Sequence, residues 1–408
     1  MRLKNLSNLL LMTFFAMPFF TQCVDSYYLP GFSSLINWLQ RLLCLILLFK
    51  GREIIALQSK KYKYFLFAFI VYMTFVFIYI GQGKIPISSM LGVPEEWDIL
   101  LLMSVSLFLL LLCVPIIAEY ADYYLLSIAI IVFTLLASVL YFLKVDYTLY
   151  FLQLGTGGIL DLGLIHPFVL SSYAASGVFA VFILKTRLSK YFLGNILSYS
   201  LLLLFFLLIL ISTKRGPIVY IVMSLLLYFF IQNKLSKRTL FIISFVVLFF
   251  YFFGNYLLDI ASSIFPDIVE RFLGTEDDGG SGRFGDSDSL YSLAWQQIMD
   301  SPLWGSHMRI FISSSTLAYG SYPHNFFLEL AMTVGIPFTI AFCVLLYKIF
   351  RQYFKYSIVD RSSLVIFLIS TYSVLLMMTT GTILLNVNFW VGFAILSSFK
   401  YSKYHNNI

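Results

Sequence analysis

The sequence predicts an all-α integral membrane protein with about twelve transmembrane helices and one long outer loop. Of its 408 residues, 60% are hydrophobic and only 12% are charged, with a mean hydropathy of +0.89, so charges are too few to cover a water-soluble globule of this size. Apolar runs long enough to cross a bilayer as helices are separated by short charged or Gly/Pro-containing breaks. Runs such as LLLLFFLLILI (201–211) do not alternate, which excludes a transmembrane β-barrel.

The predicted spans divide the chain into three parts. Residues 1–257 carry the first nine helices, residues 258–324 form the long loop, and residues 325–408 carry the last three helices and a cytoplasmic C-terminus. The first apolar stretch runs on to Val24 without a small-residue cleavage site, so we interpret it as an uncleaved helix. The spans lie near residues 6–24, 33–49, 64–81, 99–117, 124–143, 167–184, 191–212, 217–232, 239–257, 325–347, 363–380 and 383–399.

Charge is distributed unequally between the two sets of loops. Most of the 27 lysines and arginines fall in loops on the side of the N-terminus, and most acidic residues fall on the other side. Because positive residues stay in the cytoplasm, both termini are predicted to be cytoplasmic and the loop at 258–324 to be outside. The net charge of +7 therefore anchors the protein in the bilayer and does not predict a nucleic-acid partner.

Two adjacent cations are exceptions to this distribution. Lys214 and Arg215 lie in the outer break STKRGP (212–217), where Pro217 suits the first turn of a helix and should push Gly216 out of the helical region. A helix N-terminus with two cations is an anion site. The alternative is a short hairpin whose cations reach lipid phosphates.

The long loop contains an acidic Gly-rich run and then an amphipathic stretch. A residue among 286–289 can cap a helix from about Leu290 to Met299, which would lie on the membrane surface or pack over the bundle. The acidic run EDDGGSGRFGDSDS (276–289) lacks the spacing of a calcium loop, so we predict no metal there. Nucleophile-elbow, P-loop and His-Glu-x-x-His motifs are also absent, and no cofactor is predicted.

Arginines and histidines accumulate on the predicted outer face. Guanidinium groups bind phosphate oxygens bidentately and can neutralise a leaving diphosphate, and histidine can accept a proton near neutral pH. From chemistry alone, the sequence predicts an outer-face site for an anionic lipid head group. The residues concerned are Arg215, Arg271, Arg283, Arg309, His307 and His324.

The order of four motifs resembles the O-antigen polymerase and O-antigen ligase superfamily. They are STKRGP (212–217), SGRFGDSDSLYSLAW (281–295), SPLWG (301–305) and PHNFFLELAMTVGIP (323–337). The resemblance implies a metal-independent glycosyltransferase of the bacterial inner membrane, related to membrane-embedded (GT-C-like) enzymes that use polyprenyl-linked sugars. The implied substrates are undecaprenyl-diphosphate-linked oligosaccharides as donor and acceptor, with a polysaccharide chain-length regulator as an associated partner.

The resemblance also implies catalytic roles for three residues. Arg215 and Arg283 correspond to the essential arginines, expected to hold the diphosphate, and His324 corresponds to the essential histidine, expected to assist the acceptor hydroxyl or orient the donor phosphate. Lys214 replaces a small residue more usual there, so it could shift which cation meets the phosphate. A loose Arg-to-Gly spacing also fits Arg271 and Gly282.

Three further residues are expected to bind substrate. Asn325 follows His324 at the start of a helix, and Glu329 lies one turn below it on the same face and should point to the bundle interior. The alternative is that His324 and Asn325 only cap the helix and Glu329 pairs with an arginine. Arg41 lies midway along a predicted span, where it either reaches phosphate or shows that the span is misplaced.

The acceptor separates the functions that remain open. A polymerase joins repeat units on the carrier lipid into O-antigen or capsular polysaccharide, and a ligase transfers the finished glycan to lipid A core. A Phe- and Tyr-rich chain with divergent loops favours the polymerase. A lipid-linked oligosaccharide transporter or flippase is the third alternative, but it predicts repeated halves that the sequence does not show.

Overall fold

The computed structural model describes residues 2–56, 58–82, 96–144, 167–211, 215–231, 290–306, 323, 325–357, 362–378, 382–384 and 386–399. Every regular element within these residues is a helix. The helices are α1 (Leu3–Phe15), α2 (Pro18–Tyr27), α3 (Phe32–Ala56), α4 (Lys60–Gly81), α5 (Glu96–Tyr120), α6 (Tyr123–Phe142), α7 (Pro167–Leu188), α8 (Phe192–Ile211), α9 (Arg215–Ile231), α10 (Leu290–Asp300), α11 (Phe326–Val334), α12 (Ile336–Ser357), α13 (Leu364–Met377) and α14 (Val387–Ser398).

Six helices of the described part are long and apolar enough to cross a membrane. They are the segments Phe32–Ile54, Lys60–Tyr79, Leu101–Tyr120, Tyr123–Phe142, Val169–Leu188 and Phe192–Ile209, which coincide with six of the predicted spans. The predicted spans near 217–232, 363–380 and 383–399 correspond to the shorter helices α9, α13 and α14, and the one at 239–257 lies outside the described residues. The described part is therefore all-helical, with several helices suited to a membrane, and the number twelve stays a prediction.

Two predicted spans are broken helices. The first divides into α1 and α2 where Pro18, without a backbone N–H, begins the second helix. The span predicted at 325–347 divides into α11 and α12 at Gly335, whose φ of 83° and ψ of 164° interrupt the helix. Apolar composition alone does not show such breaks, because both halves remain apolar.

The described chain divides into two compact units. The first contains Met1–Phe15, Leu35–Tyr123 and Ser281–Ile408. Its core surrounds Trp390 of α14, which is fully buried and has the rings of Phe69 and Phe65 at centroid distances of 4.9 and 5.6 Å. The ring of Phe342 lies 5.8 Å away, so α4, α12 and α14 share one aromatic core. Burial of these rings stabilises the unit through dispersion contacts and exclusion from lipid.

Three helix ends lie together at one end of the first unit, and the charge distribution predicts that all three are on the same side of the membrane. Lys61 at the start of α4 donates to Gln352 of α12 at 2.5 Å, and Ser59 donates to the carbonyl of Ser397 at 2.7 Å. The start of α4 thus lies beside the ends of α12 and α14. The grouping agrees with the predicted topology, in which all three ends face the same side of the membrane.

The second unit contains Ala16–Ser34 and Tyr124–Gly280. Helix α7 is central and packs against α2, α8 and α9. Gly177 of α7 lets the ring of Phe205 of α8 approach so closely that an added Cβ would lie 2.7 Å from it. The basic last turn of α7 places the Arg187 guanidinium over the Tyr124 ring at 3.4 Å.

Candidate functional site

Helix α10 and helix α11 pack side by side in the first unit. Leu290–Asp300 reproduces the helix predicted near 290–299 almost to the residue. Its side chains Ala294 and Ile298 are buried against Ala331 and Met332 of α11. The helix therefore packs against α11, and its place relative to the membrane surface stays a prediction.

The turn after α10 is clamped onto the break between α11 and α12. The backbone N–H of Ile336 donates to the carbonyl of Pro302 at 2.8 Å, and that of Ser306 donates to the carbonyl of Met332 at 2.9 Å. We call this pair of hydrogen bonds, with Gly305 and Gly335, the backbone clamp. The clamp joins SPLWG and PHNFFLELAMTVGIP, two of the motifs that the sequence analysis singled out, into one piece.

Both clamp positions require glycine, because the backbone has a positive φ there and because a Cβ would clash with the neighbouring backbone. Their φ angles are 72° at Gly305 and 83° at Gly335, where an L side chain is strained. A Cβ on Gly335 would lie 2.2 Å from the carbonyl oxygen of Leu303, and a Cβ on Gly305 would lie 2.5 Å from that of Met332. The two backbones therefore touch directly, and no side chain fits between them.

The clamp also determines the relative direction of α10 and α11. Each helix ends at the clamp and packs along the other, so the two helices are parallel and their N-termini point the same way. The predicted site residues precede these N-termini in sequence: Arg283 comes seven residues before Leu290, and His324 comes two residues before Phe326. Helix N-termini carry partial positive charge, which favours an anion at this end.

Contacts with α4 show how far along that helix the clamp lies. The rings of Phe65 and Phe342 are 5.9 Å apart, and α12 runs antiparallel to α4. Ile336 is six residues before Phe342, or about 9 Å along the helix, which places the clamp near the midpoint of α4. Tyr79 lies beyond this midpoint, toward the C-terminal end of α4, and donates its hydroxyl to the carbonyl of Trp304 at 3.3 Å. The turn after α10 therefore contacts the half of α4 that is remote from its lysines.

Asn325 is the N-cap of α11. It has an extended backbone, with φ −146° and ψ 116°, and its Oδ1 accepts from the N–H groups of Phe327 at 3.0 Å and Leu328 at 3.2 Å. With Oδ1 engaged in the cap, the Nδ2 amide group is the part of Asn325 that can donate to a ligand. The expected capping role is therefore present, and it leaves a donor for substrate.

Glu329 is buried, with 1% of its surface exposed, as expected for a carboxylate that points to the bundle interior. Its Oε1 accepts from the hydroxyl of Thr382 and from the N–H of Ile383 at 3.2 Å, and its Oε2 accepts from the same N–H at 3.1 Å. Glu329 thus joins α11 to the segment between α13 and α14. The sequence analysis did not anticipate these partners, which lie more than fifty residues away.

The segment that Glu329 contacts is held from two other helices. Trp390 donates its Nε1–H to the carbonyl of Ile383 at 2.9 Å, and Ser373 donates its hydroxyl to Oδ1 of Asn386 at 2.8 Å. Thr382 also accepts from the N–H of Leu384 at 3.1 Å. We call residues 382–386 the connector, of which 382–384 and 386 are described. It is fixed by hydrogen bonds from α11, α13 and α14.

Arg41 lies near the middle of the apolar helix α3, whose candidate span is Phe32–Ile54. Its Nε donates to the hydroxyl of Ser106 on α5 at 2.7 Å, and its guanidinium lies 4.7 Å from the ring centroid of Trp38. The side chain is half-buried. These contacts use one face of the guanidinium and a single N–H, so other N–H donors remain for an anion.

The remaining site predictions fall at or beyond the limits of the described residues. Arg215 is the first residue of α9, which also contains Gly216, so the expectation that Gly216 would leave the helix is wrong. Glycine has no Cβ to clash with the ring of Pro217, which explains the difference. The residues outside the described part are Lys214, Arg271, Arg283, His324, His307 and Arg309.

Metal-ligating side chains do not cluster in the part of the chain that the structure describes: no group of three or more His, Cys, Asp or Glu residues lies together there. The four cysteines are free, and three of them are buried. Cysteines buried in this way pack as small hydrophobic residues.

Comparison with known proteins shows that the middle of the chain is similar to a known family. Residues 199–343 match the model of the O-antigen ligase family. The matched region runs from α8 into α12 and contains all four motifs that carry the resemblance, including both sides of the backbone clamp. No curated protein matches the chain. The match confirms the resemblance: residues 199–343 are similar to the O-antigen ligase family.

Proposed function

We propose that the protein is a polymerase that joins undecaprenyl-diphosphate-linked oligosaccharide repeat units into O-antigen or capsular polysaccharide at the outer face of the inner membrane. The observation that carries this proposal is the superfamily match over residues 199–343, which spans the helices that the backbone clamp joins. The clamp keeps the N-termini of α10 and α11 side by side, and the chain segments that bear Arg283 and His324 lead into them.

The reaction is a glycosyl transfer. A hydroxyl of the acceptor repeat unit attacks the anomeric carbon that links the donor glycan to its diphosphate. The new C–O bond forms as the bond to the diphosphate breaks, and undecaprenyl diphosphate leaves with the electron pair. His324 takes the hydroxyl proton or orients the donor phosphate, and Arg215 and Arg283 hold the diphosphate.

Arginines can carry out the charge neutralisation that metal ions perform in many diphosphate enzymes. A guanidinium fork binds two phosphate oxygens at once, and the N-termini of two parallel helices add to the positive potential. Lys214, Arg271 and Arg41 are further candidates for phosphate contacts, and the Nδ2 group of Asn325 is a candidate donor to substrate. We therefore propose a metal-independent mechanism.

The charge distribution supports the orientation. Lys60, Lys61 and Lys63 begin α4, and Lys348 and Arg351 lie at the same end of the first unit, remote from α10 and α11. If this end is cytoplasmic, as the positive-inside rule predicts, α10 and α11 occupy the outer half of the membrane. Both termini are then cytoplasmic, and the lipid-linked substrate approaches from the outer leaflet. A chain-length regulator would contact the same outer region.

A ligase is the second candidate, because the matching family model describes O-antigen ligases. The two reactions share the donor and differ in the acceptor, so reconstitution separates them. Purified protein in lipid vesicles is given isolated lipid-linked repeat units, with or without lipid A core. A ladder formed from repeat units alone supports the polymerase. Transfer that needs lipid A core supports the ligase. Movement of repeat units between leaflets without lengthening would indicate that the protein is a transporter and neither a polymerase nor a ligase.

A further inference from the structure

We propose that Glu329 is a positioning residue for the transfer reaction, acting through the N-terminal turn of α11 and not by contact with substrate. The inference rests on the proposed function. It revises the expectation that Glu329 binds substrate, and it assigns a role to the connector that the sequence analysis did not single out.

The contacts described for Glu329 are with the protein and not with an open surface. Both carboxylate oxygens accept from connector groups, the hydroxyl of Thr382 and the N–H of Ile383, and only 1% of the residue is exposed. A negatively charged group would also repel a diphosphate. The carboxylate therefore acts on the protein, where it ties α11 to the connector.

The position of Glu329 along α11 explains why this tie matters. Helix α11 has nine residues, too few for a stable isolated helix, so its direction is set by tertiary contacts. One of these is the backbone clamp at its C-terminal end. Another is Glu329, one turn from the N-cap, where its N–H donates to the carbonyl of Asn325 at 2.9 Å. Apolar packing against α10 and of Phe326 against Phe389 also holds the helix, but it lacks the direction of a hydrogen bond, so loss of the Glu329 tie would allow the N-terminal half to shift.

The distance between the clamp and the N-cap determines how far the N-cap would move if α11 tilted. Asn325 is ten residues from Gly335, about 15 Å at the helical rise, so a tilt of about 5° at the clamp would move the N-cap by about 1 Å. A displacement of about 1 Å in a reacting group can reduce turnover by up to about 100-fold. His324 directly precedes the N-cap and would move with it. Loss of the Glu329 tie should therefore reduce turnover without removing a substrate contact.

The connector is a suitable anchor because it is itself immobilised. Trp390, at the centre of the aromatic core, donates to the carbonyl of Ile383, and Asn386 accepts from Ser373 and from the N–H of Phe389. A carboxylate bound to a segment held in this way is fixed relative to the core. The tie therefore transmits the rigidity of α13 and α14 to the first turn of α11.

The test compares three variants of the full-length protein in lipid vesicles, with lipid-linked repeat units isolated from cells that lack the gene. Glu329→Gln keeps one oxygen acceptor and replaces the other, which also accepts from the N–H of Ile383, by an amide donor. Thr382→Val removes the hydroxyl at nearly constant shape, and Thr382→Ser restores it. We expect Glu329→Gln and Thr382→Val to lower turnover about tenfold, at an unchanged half-saturating substrate concentration, and Thr382→Ser to retain turnover within about twofold.

Three results would overturn the inference. The first is wild-type turnover in Glu329→Gln. The second is loss of turnover in Glu329→Gln with Thr382→Val unaffected, and the third is a raised half-saturating substrate concentration in either variant. The second and third results would indicate that Glu329 contacts substrate directly. If Glu329→Gln fails to reach the membrane, the Thr382→Val and Thr382→Ser pair decides alone. Failure of the wild-type protein to lengthen the repeat units would instead remove the proposed function.

Discussion

Replacement of Gly335 by alanine should destabilise the first unit strongly. The φ of 83° and ψ of 164° lie in a region that is essentially restricted to glycine, and an alanine there costs about 1–3 kcal/mol. The added Cβ would lie 2.2 Å from the carbonyl oxygen of Leu303 and 2.8 Å from the N of Trp304, which are backbone atoms that cannot rotate away. Forced separation of two packed backbones adds about 1–3 kcal/mol.

The total expected loss is therefore about 2–6 kcal/mol for Gly335→Ala, from the strain and overpacking terms together. Gly31, in the second unit, offers a comparison for a positive φ without a clash, since its φ is 86° and nothing lies within 4 Å of an added Cβ. Gly31→Ala should show only the conformational cost of about 1–2 kcal/mol. The larger loss expected for Gly335→Ala comes from the close approach at the clamp.

Denaturant unfolding of the purified protein in detergent, followed by tryptophan fluorescence, measures both variants. The midpoint of Gly335→Ala should fall well below that of Gly31→Ala, which should stay close to the wild type. Because the clamp also holds α10 to α11, Gly335→Ala should lose polymer formation at a temperature where it remains folded. Equal midpoints for the two variants would refute the reasoning, since the clash at the clamp would then contribute nothing.

Substitutions at three further sites test other contacts, two sites by the same unfolding assay and the third by polymer yield. Asn325→Ala removes the N-cap acceptor and should cost about 1 kcal/mol, whereas Asn325→Asp keeps it and should cost less; equal losses would argue against the cap. Trp390→Phe keeps a ring in the core but loses the hydrogen bond to Ile383, so we expect a loss of at least about 0.5–1.5 kcal/mol, and an unchanged midpoint would contradict it. Arg41→Lys keeps the charge but loses the Nε bond to Ser106. It should lower polymer yield less than Arg41→Leu, and equal yields would remove Arg41 from phosphate binding.

Sequence reasoning predicted those parts of the fold that depend on local composition. Long apolar runs gave α4 and α6 within a few residues, and the amphipathic pattern gave α10. The Ser/Asp-rich segment before Leu290 and the Asn before Phe326 indicated helix starts for the same reason, because capping is a local property of the chain.

The breaks within apolar segments could not be predicted in this way. Gly335 looks like an ordinary glycine in a span, and its positive φ follows from the backbone of SPLWG, about thirty residues earlier, packing against it. The partners of Glu329 are a similar case. A buried carboxylate predicts hydrogen-bond donors, but tertiary packing alone determines that a backbone N–H and a threonine hydroxyl supply them.

For the candidate site, the motifs were more informative than the individual residues. Their order predicted the superfamily, and two of them proved to be physically joined by the clamp. The roles of Arg215, Arg283 and His324 remain proposals, because the side chain of Arg215 and the other two residues lie outside the described part. A sequence pattern can place such residues near a helix start, but it cannot give the distance between them.

The most direct test of the central claim is glycan banding by gel electrophoresis from cells that lack the gene, complemented with the wild type or with His324→Ala. Membrane fractions from both strains must contain equal amounts of the protein. We predict a single repeat unit without the gene, a full ladder with the wild type, and no ladder with His324→Ala. An unchanged ladder without the gene, or a full ladder with His324→Ala, would contradict the account.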